Sequence, residues 1–371
     1  MSDTPAVAYG DMAAVKDTWL SMEKRAGTYP FQRYDWVSAW FETVGRARAY
    51  SPVIVTITDD EGRVALFPLA ARKRRGVSTL EWAGTGVSDY GAALVDDGFV
   101  VPTADIVRAL RKIGSGVGCE LLLLERIPGT VPYGANILVG SATPRMHVAA
   151  HYLNTPDDME AYMEERFSSK SRYNLRRSER KLGGGAVPGF IVPRDSPERS
   201  RYLEAVITQK QRRYAETGDR DPFDDPAVTS FYHLADRTVA GAEVSGMVTE
   251  GTIVAAHWGV RDEKTLYVLL PSFDGGEAAR HSPGILLALN LIRSCIEGGQ
   301  GVVDFTIGDE EYKDRLCSGE TPLYAVVAGI SLRGRMHALA YRMVLALKRS
   351  FLFDIYKRSR KARSRNKRCE S

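Results

Sequence analysis

The residues best suited to chemistry stand in the second half of this 371-residue chain. Arg280-His281-Ser282-Pro283-Gly284 directly precedes an apolar run, residues 284–297 (GILLALNLIRSCIE), whose spacing predicts a helix. A helix start exposes unpaired N–H groups and the positive end of the helix dipole, so it can hold a phosphate. Proline suits the first helical position, and glycine lets a ligand approach the backbone. Arg280 adds a cation, and Ser282 and Gly284 line the turn; the same pattern also serves as a plain helix cap. Asp304 lies inside the apolar strand GVVDFTI. A buried carboxylate there needs partners or a raised pKa, and works as a base, an orienting group or a structural hydrogen-bonding group. Downstream, Asp309 heads an acidic run with Glu310 and Glu311 that could bind an ammonium group or stay solvated. Lys313 could meet a phosphate, a sugar oxygen or a surface carboxylate. His257, in the strand IVAAHWGV, is either catalytic or a satisfied core histidine. Asp274, ending the strand before the turn, either caps that turn or touches a substrate.

A second feature is a dense cationic segment, Lys170 to Lys181. At helical spacing Arg172, Arg176 and Arg180 share one face, and Arg177 and Lys181 another. Like charges four residues apart repel, and a bound anion relieves that repulsion; arginine suits bidentate phosphate contact. A solvated face is the alternative. Charge is also uneven along the chain. Residues 331–371 hold 13 Lys and Arg against 2 Asp and Glu, so the +4 net charge belongs to the tail and the body is acidic. That disfavours DNA as a partner of the body and favours an anionic partner for the tail. Residues 336–356 read as an apolar helix and residues 357–368 as a polybasic run. Such a pair can sit on an anionic inner-membrane surface, hold an anionic nucleotide, or pack on the body.

The elements that must position these groups follow from periodicity. Residues 30–45 predict a helix with Trp36, Val37, Trp40, Phe41 and Val44 on one face. Two β-branched runs around Asp60-Glu61-Gly62 predict a hairpin, residues 104–113 a helix, and residues 117–127 a buried strand. The second half repeats the order more clearly: helices over 156–182 and 198–216, three strands across 244–274, the helix at 284–297 and a strand at 301–307. The expected fold class is α+β, with two tandem halves of similar plan, each a mixed central sheet flanked by helices. The expected divisions are residues 1–150, 151–335 and a basic tail, 336–371. Four scattered cysteines without a CxxC pair argue against a disulfide framework and a zinc site, so no metal is expected. No secretory signal pattern and no apolar run long enough to span a bilayer are evident, giving a cytoplasmic expectation, with the inner-membrane surface as a peripheral site.

Four segments in this order carry a resemblance: FSSKSRYNLRRSERKL (167–182), LLPSFD (269–274), SPG (282–284) and DFTIGDEEYK (304–313). Together they resemble the CelD/BcsL-like branch of the GNAT acetyltransferases, linked to bacterial exopolysaccharide, cellulose and holdfast synthesis. The resemblance covers most of residues 30–330. It implies a tandem GNAT arrangement related to the Fem-type transferases. It further implies that acyl-CoA, with acetyl as the expected acyl group, is the donor. Its thioester would lie along the strand 265–273, where a backbone N–H polarises the carbonyl. Arg280, Ser282 and Gly284 occupy the place of the pyrophosphate loop, although only one glycine of the usual loop is present. Tyr312 stands where such enzymes often carry an acid for the departing thiolate, with Asp304 or His257 available as base. Asp274, Asp309, Arg172 and Arg176 would contact the acceptor, an amino sugar in a polysaccharide precursor. Two other readings remain: aminoacyl transfer from charged tRNA, and an inactive scaffold that senses an anionic signal such as a cyclic dinucleotide.

Overall fold

The computed structural model describes residues 4–350 except 75, 132, 133 and 309. Along the first part run β1 (Ala6–Tyr9), α1 (Lys16–Arg25), α2 (Tyr34–Trp40), β2 (Ser51–Thr58), β3 (Val64–Arg74), β4 (Val77–Trp82), β5 (Leu94–Val95), α3 (Thr103–Gly116) and β6 (Leu121–Pro128). Two short strands, β7 (Thr130–Val131) and β8 (Gly134–Ala135), precede β9 (Arg145–Asn154). The helices α4 (Met159–Arg166) and α5 (Ser169–Leu182), the short β10 (Gly189–Ile191), α6 (Ser196–Thr217) and α7 (Pro226–Thr238) follow. Then come β11 (Ala242–Thr249), β12 (Thr252–Arg261), β13 (Thr265–Phe273), α8 (Pro283–Gly298), β14 (Val302–Ile307), α9 (Glu311–Leu316), β15 (Gly319–Gly329) and α10 (Leu332–Lys348).

Packing divides the chain into two units that are not linear in sequence. The first holds Met1–Val37, Arg48–Ala149 and the chain from Pro322 onward; the second holds Ser38–Ala47 and Ala150–Thr321. The sequence reading kept residues 151–335 together and set the tail apart. The structure instead joins β15 and α10 to the first unit, because β15 pairs antiparallel with β6 from Leu323 to Gly329 and α10 packs on β6. The predicted helix over 30–45 is also not uniform. A π-helical turn, Phe41–Gly45, follows α2, while Trp36, Val37, Trp40 and Val44 are all buried as their spacing requires. The predicted helix over 156–182 breaks at Phe167–Ser168, where Phe167 is buried and Ser168 caps α5 by accepting from Ser171 N–H. The helix α7 has no counterpart in the sequence reading.

Each unit is α+β with a mixed sheet, and the two share one plan. In the first, β2, β3 and β4 form an antiparallel meander, α3 crosses over, and β6 returns parallel to β4. Asp59 closes the predicted hairpin by accepting from Glu61 N–H and Arg63 N–H, with Gly62 in the left-handed region that only glycine enters cheaply. In the second, β11, β12 and β13 form the meander, α8 crosses over, and β14 returns parallel to β13. There β9 completes the sheet beyond β14 in antiparallel register. Alternating inward residues of these strands meet α3 in one core and α8 in the other. The latter core is built on Leu266, Val268, Leu287, Leu291, Ile292, Val303 and Phe305.

Candidate functional site

The parallel pair β13–β14 lasts three residues, Thr265–Tyr267 beside Val302–Asp304. Beyond it β14 bends away. Its register against β9 shifts between Asp304 and Thr306, and Thr306 takes a left-handed φ of 53°. A β-branched residue there stores strain on the order of 1–3 kcal/mol and persists only where its surroundings impose it. Four contacts do so. The Asp304 carboxylate accepts Thr306 N–H at 2.8 Å, and the Thr306 hydroxyl donates to the Val268 carbonyl at 3.2 Å. The Lys313 ammonium donates to the Ile307 carbonyl at 3.1 Å and stands 3.0 Å from Glu310. Residues Leu269–Phe273 of β13 therefore have no strand paired on the β14 side among the described residues. Backbone groups on such an edge require another partner.

At the far end of β13 a 3-10 turn, Glu277–His281, leads into α8. Ser282 stands at the N-cap with φ 54° and ψ 46°, Pro283 opens the helix, and no side chain caps it. The N–H groups of Ile285 and Leu286 return to the Ser282 carbonyl. A Cβ at Gly284 would lie 3.2 Å from the Phe273 ring, so glycine here serves strand–helix packing as well as backbone access. Helix α5 packs on this turn and on α8. An open groove of about 690 Å³ follows its outer face, lined by Tyr173, Arg176, Arg177, Arg180, Lys181, Gly184 and Gly185. Arg180 and Lys181 also complement the C-terminal end of the α5 dipole.

Tyr312 packs edge-on against Phe305 of β14 at 6.3 Å, and its hydroxyl makes no hydrogen bond to the described residues. Burial, with Glu310 nearby, pushes the phenol far above its ordinary pKa. It therefore stays protonated at neutral pH, the state a proton donor needs. Burial likewise pushes the Cys317 thiol up to about 12, so it is no thiolate nucleophile at neutral pH.

The remaining candidate residues stand in different surroundings. Lys313 is only 3% exposed, its ammonium held by main-chain carbonyls and Glu310 at the strained end of β14. His257 is fully buried in β12, with Nδ1 3.3 Å from the Ser245 hydroxyl and Nε2 without a hydrogen-bond partner. Arg172 turns inward, donating to the Phe167 carbonyl and pairing with Glu164. Arg176 lines the groove, 71% exposed, with Glu160 at 3.8 Å. Asp274 forms an ion pair with Arg212 of α6. Asp309 lies outside the described residues. Sequence reasoning missed Thr306, whose backbone strain no residue type advertises. It also missed the end of α6, where Arg212 meets Asp274, Arg213 lies 6.0 Å over Phe273, and Gln209 accepts from the buried Ser272 hydroxyl.

Desolvation lowers the His257 pKa to about 4. The unfolded chain, with an ordinary histidine near 6.5, then binds the extra proton over the window from about pH 6.5 to 4. Stability contributed by the neutral imidazole is present above that window and lost as pH falls through it, up to about 3 kcal/mol. Denaturant titrations at pH 7 and pH 4 check this: the pH-dependent loss is smaller by that amount in His257→Leu than in the parent.

The first unit repeats the bend of the parallel strand but fills the space. Arg126 of β6 is left-handed, φ 58°, and pairing with β4 is confined to Thr79–Leu80 beside Leu121–Leu122. There Gly91 N–H occupies the Arg126 carbonyl, and the Arg126 guanidinium holds the Ser88 carbonyl and Asp89.

Residues 169–314 match the acetyltransferase (GNAT) domain family. The matched span is less than half of the chain and contains α5, β13, α8 and β14. No curated protein sequence matches it. Among solved structures, a conserved protein of unknown function from Bacteroides thetaiotaomicron VPI-5482 superposes with a TM-score of 0.55 at 11% identity, covering 87% of this chain and 99% of that one. The structure of FemX superposes with a TM-score of 0.55 at 10% identity over 87% and 97% of the two chains. These likenesses concern the fold.

Proposed function

We propose that the chain moves an acyl group, acetyl in the first instance, from acyl-CoA to the amine of an amino sugar in an exopolysaccharide precursor, as the CelD/BcsL-like resemblance implies. One observation carries the reading: β13 parts from β14 beside Thr306, leaving a strand edge that ends at the uncapped start of α8. The amides of a pantetheine arm suit that edge as an added strand would, and a diphosphate suits the helix start. The amine attacks the thioester carbonyl, whose oxygen gathers charge beside the β13 backbone. The C–S bond breaks, the thiolate takes the Tyr312 proton, and the ammonium proton leaves to a carboxylate or water. Asp304 supports the bend through Thr306 and orients this end of the site.

The cationic groove along α5 favours a second reading, aminoacyl transfer from charged tRNA, since arginine clusters suit phosphate chains. A thermal-shift comparison separates the two. Acetyl-CoA at about 100 times its Kd stabilises the protein by about 2.7 kcal/mol. A shift with charged tRNA and none with any CoA ester would overturn the first reading.

A further inference from the structure

Helix α10 has two faces with opposite surroundings. One rests on the first unit: Gly334, Ala338 and Leu345 are buried, Tyr341 donates to Glu125, and Arg342 donates to the Val327 carbonyl at 2.7 Å. Gly334 is required there, because a Cβ would enter the Glu120 carbonyl. On the opposite face Leu332, Met336, Leu339, Met343 and Leu347 recur at steps of three and four, which aligns them in one stripe. They are 58% to 80% exposed. Single exposed apolar residues are ordinary, but a continuous stripe marks an interaction surface. Its surroundings are cationic: Arg333 and Arg335 stand beside it, Lys348 and Arg349 follow, and no Asp or Glu occurs between Leu332 and Lys348. The sequence continues with eight Lys and Arg between residues 357 and 368 and no acidic residue among them.

We propose that this stripe lies in the headgroup layer of an anionic lipid bilayer, with the arginines and the following basic run against the lipid phosphates. No described helix is long and apolar enough to cross a membrane, so the geometry is that of a helix lying on the surface. Stable attachment to a bilayer takes two signals, and this segment supplies both, apolar area and positive charge. Charge also selects among occupants. A second copy docking through the same stripe would bring two cationic rims together, which like-charge repulsion opposes. An anionic lipid surface meets both features at once.

Co-sedimentation of the full chain with vesicles tests this independently of acyl transfer, because no acyl donor is involved. With phosphatidylcholine vesicles containing about 30% phosphatidylglycerol, binding is at least about tenfold tighter than to phosphatidylcholine alone, and it weakens as salt rises from about 0.1 to 0.5 M. The double variant Leu339→Gln, Met343→Gln loses about tenfold or more of that binding. Its thermal unfolding stays at the parental temperature, since both side chains are more than half exposed. Equal binding to both vesicle types would overturn the proposal. So would parental binding by the double variant, with binding lost only when residues 357–368 are neutralised. A parental dimer that the double variant converts to monomer would overturn it too, and would assign the stripe to self-association.

Discussion

Tyr312→Phe lowers kcat by about 100- to 10,000-fold, with the KM for the acyl donor little changed. The substitution removes one hydroxyl that makes no hydrogen bond to the described protein and leaves the ring against Phe305. Folding should therefore be unaffected, and the unfolding temperature of the variant should match the parent. The loss falls on kcat because the proton is needed only as the thiolate departs. Steady-state release of CoA thiol, followed across pH, is the measurement. A variant within tenfold of the parent would remove Tyr312 from the reaction. A burst of product ahead of the steady state would show that release limits turnover, and single-turnover rates would then carry the comparison.

Gly284→Asp raises the Kd for acetyl-CoA by a factor on the order of 100, about 3 kcal/mol, by setting a carboxylate beside the expected diphosphate. The same charge near the α8 N-terminus favours the helix by about 0.3–1 kcal/mol. Ligand binding and protein stability should thus be uncoupled, which separates this outcome from simple misfolding. Gly284→Ala is the control for shape. Its methyl group meets the Phe273 ring at 3.2 Å, a contact the ring can relieve by a small shift, so donor affinity changes only a few-fold. Isothermal titration of the two variants reads both effects. Parental affinity in the Asp variant would place the phosphates elsewhere, with the α5 groove as the alternative.

Much of the scaffold is legible in the sequence. The runs parted by turn residues at Glu250-Gly251 and Asp262-Glu263 gave β11, β12 and β13, and the apolar run bounded by Pro283 and Gly298-Gly299 gave α8, because those patterns are set by local geometry. The hairpin at Asp59–Gly62 was legible for the same reason. The division of the chain was not. Nothing local in β15 says that it pairs with β6, roughly two hundred residues earlier; only the match of its register and apolar face to that open edge decides it. The site was readable as residue types and not as roles. Lys313 and His257 look alike, as polar groups near a strand, whether they face a ligand or the core. Three per cent exposure for the first and none for the second settles which way they face.

The sequence by itself determined the strands across 244–274, the apolar helix with its proline-glycine start, the cationic helix and the basic C-terminal run, since each rests on the spacing of neighbours in the chain. Tertiary structure alone decided that β14 bends away from β13 at Thr306, that the equivalent space in the first unit is filled through Gly91 and Arg126, and that α10 exposes its apolar stripe. Each of those depends on which surfaces remain after distant segments have packed. A strained backbone angle or a bare helix face exists only relative to partners the local sequence does not name.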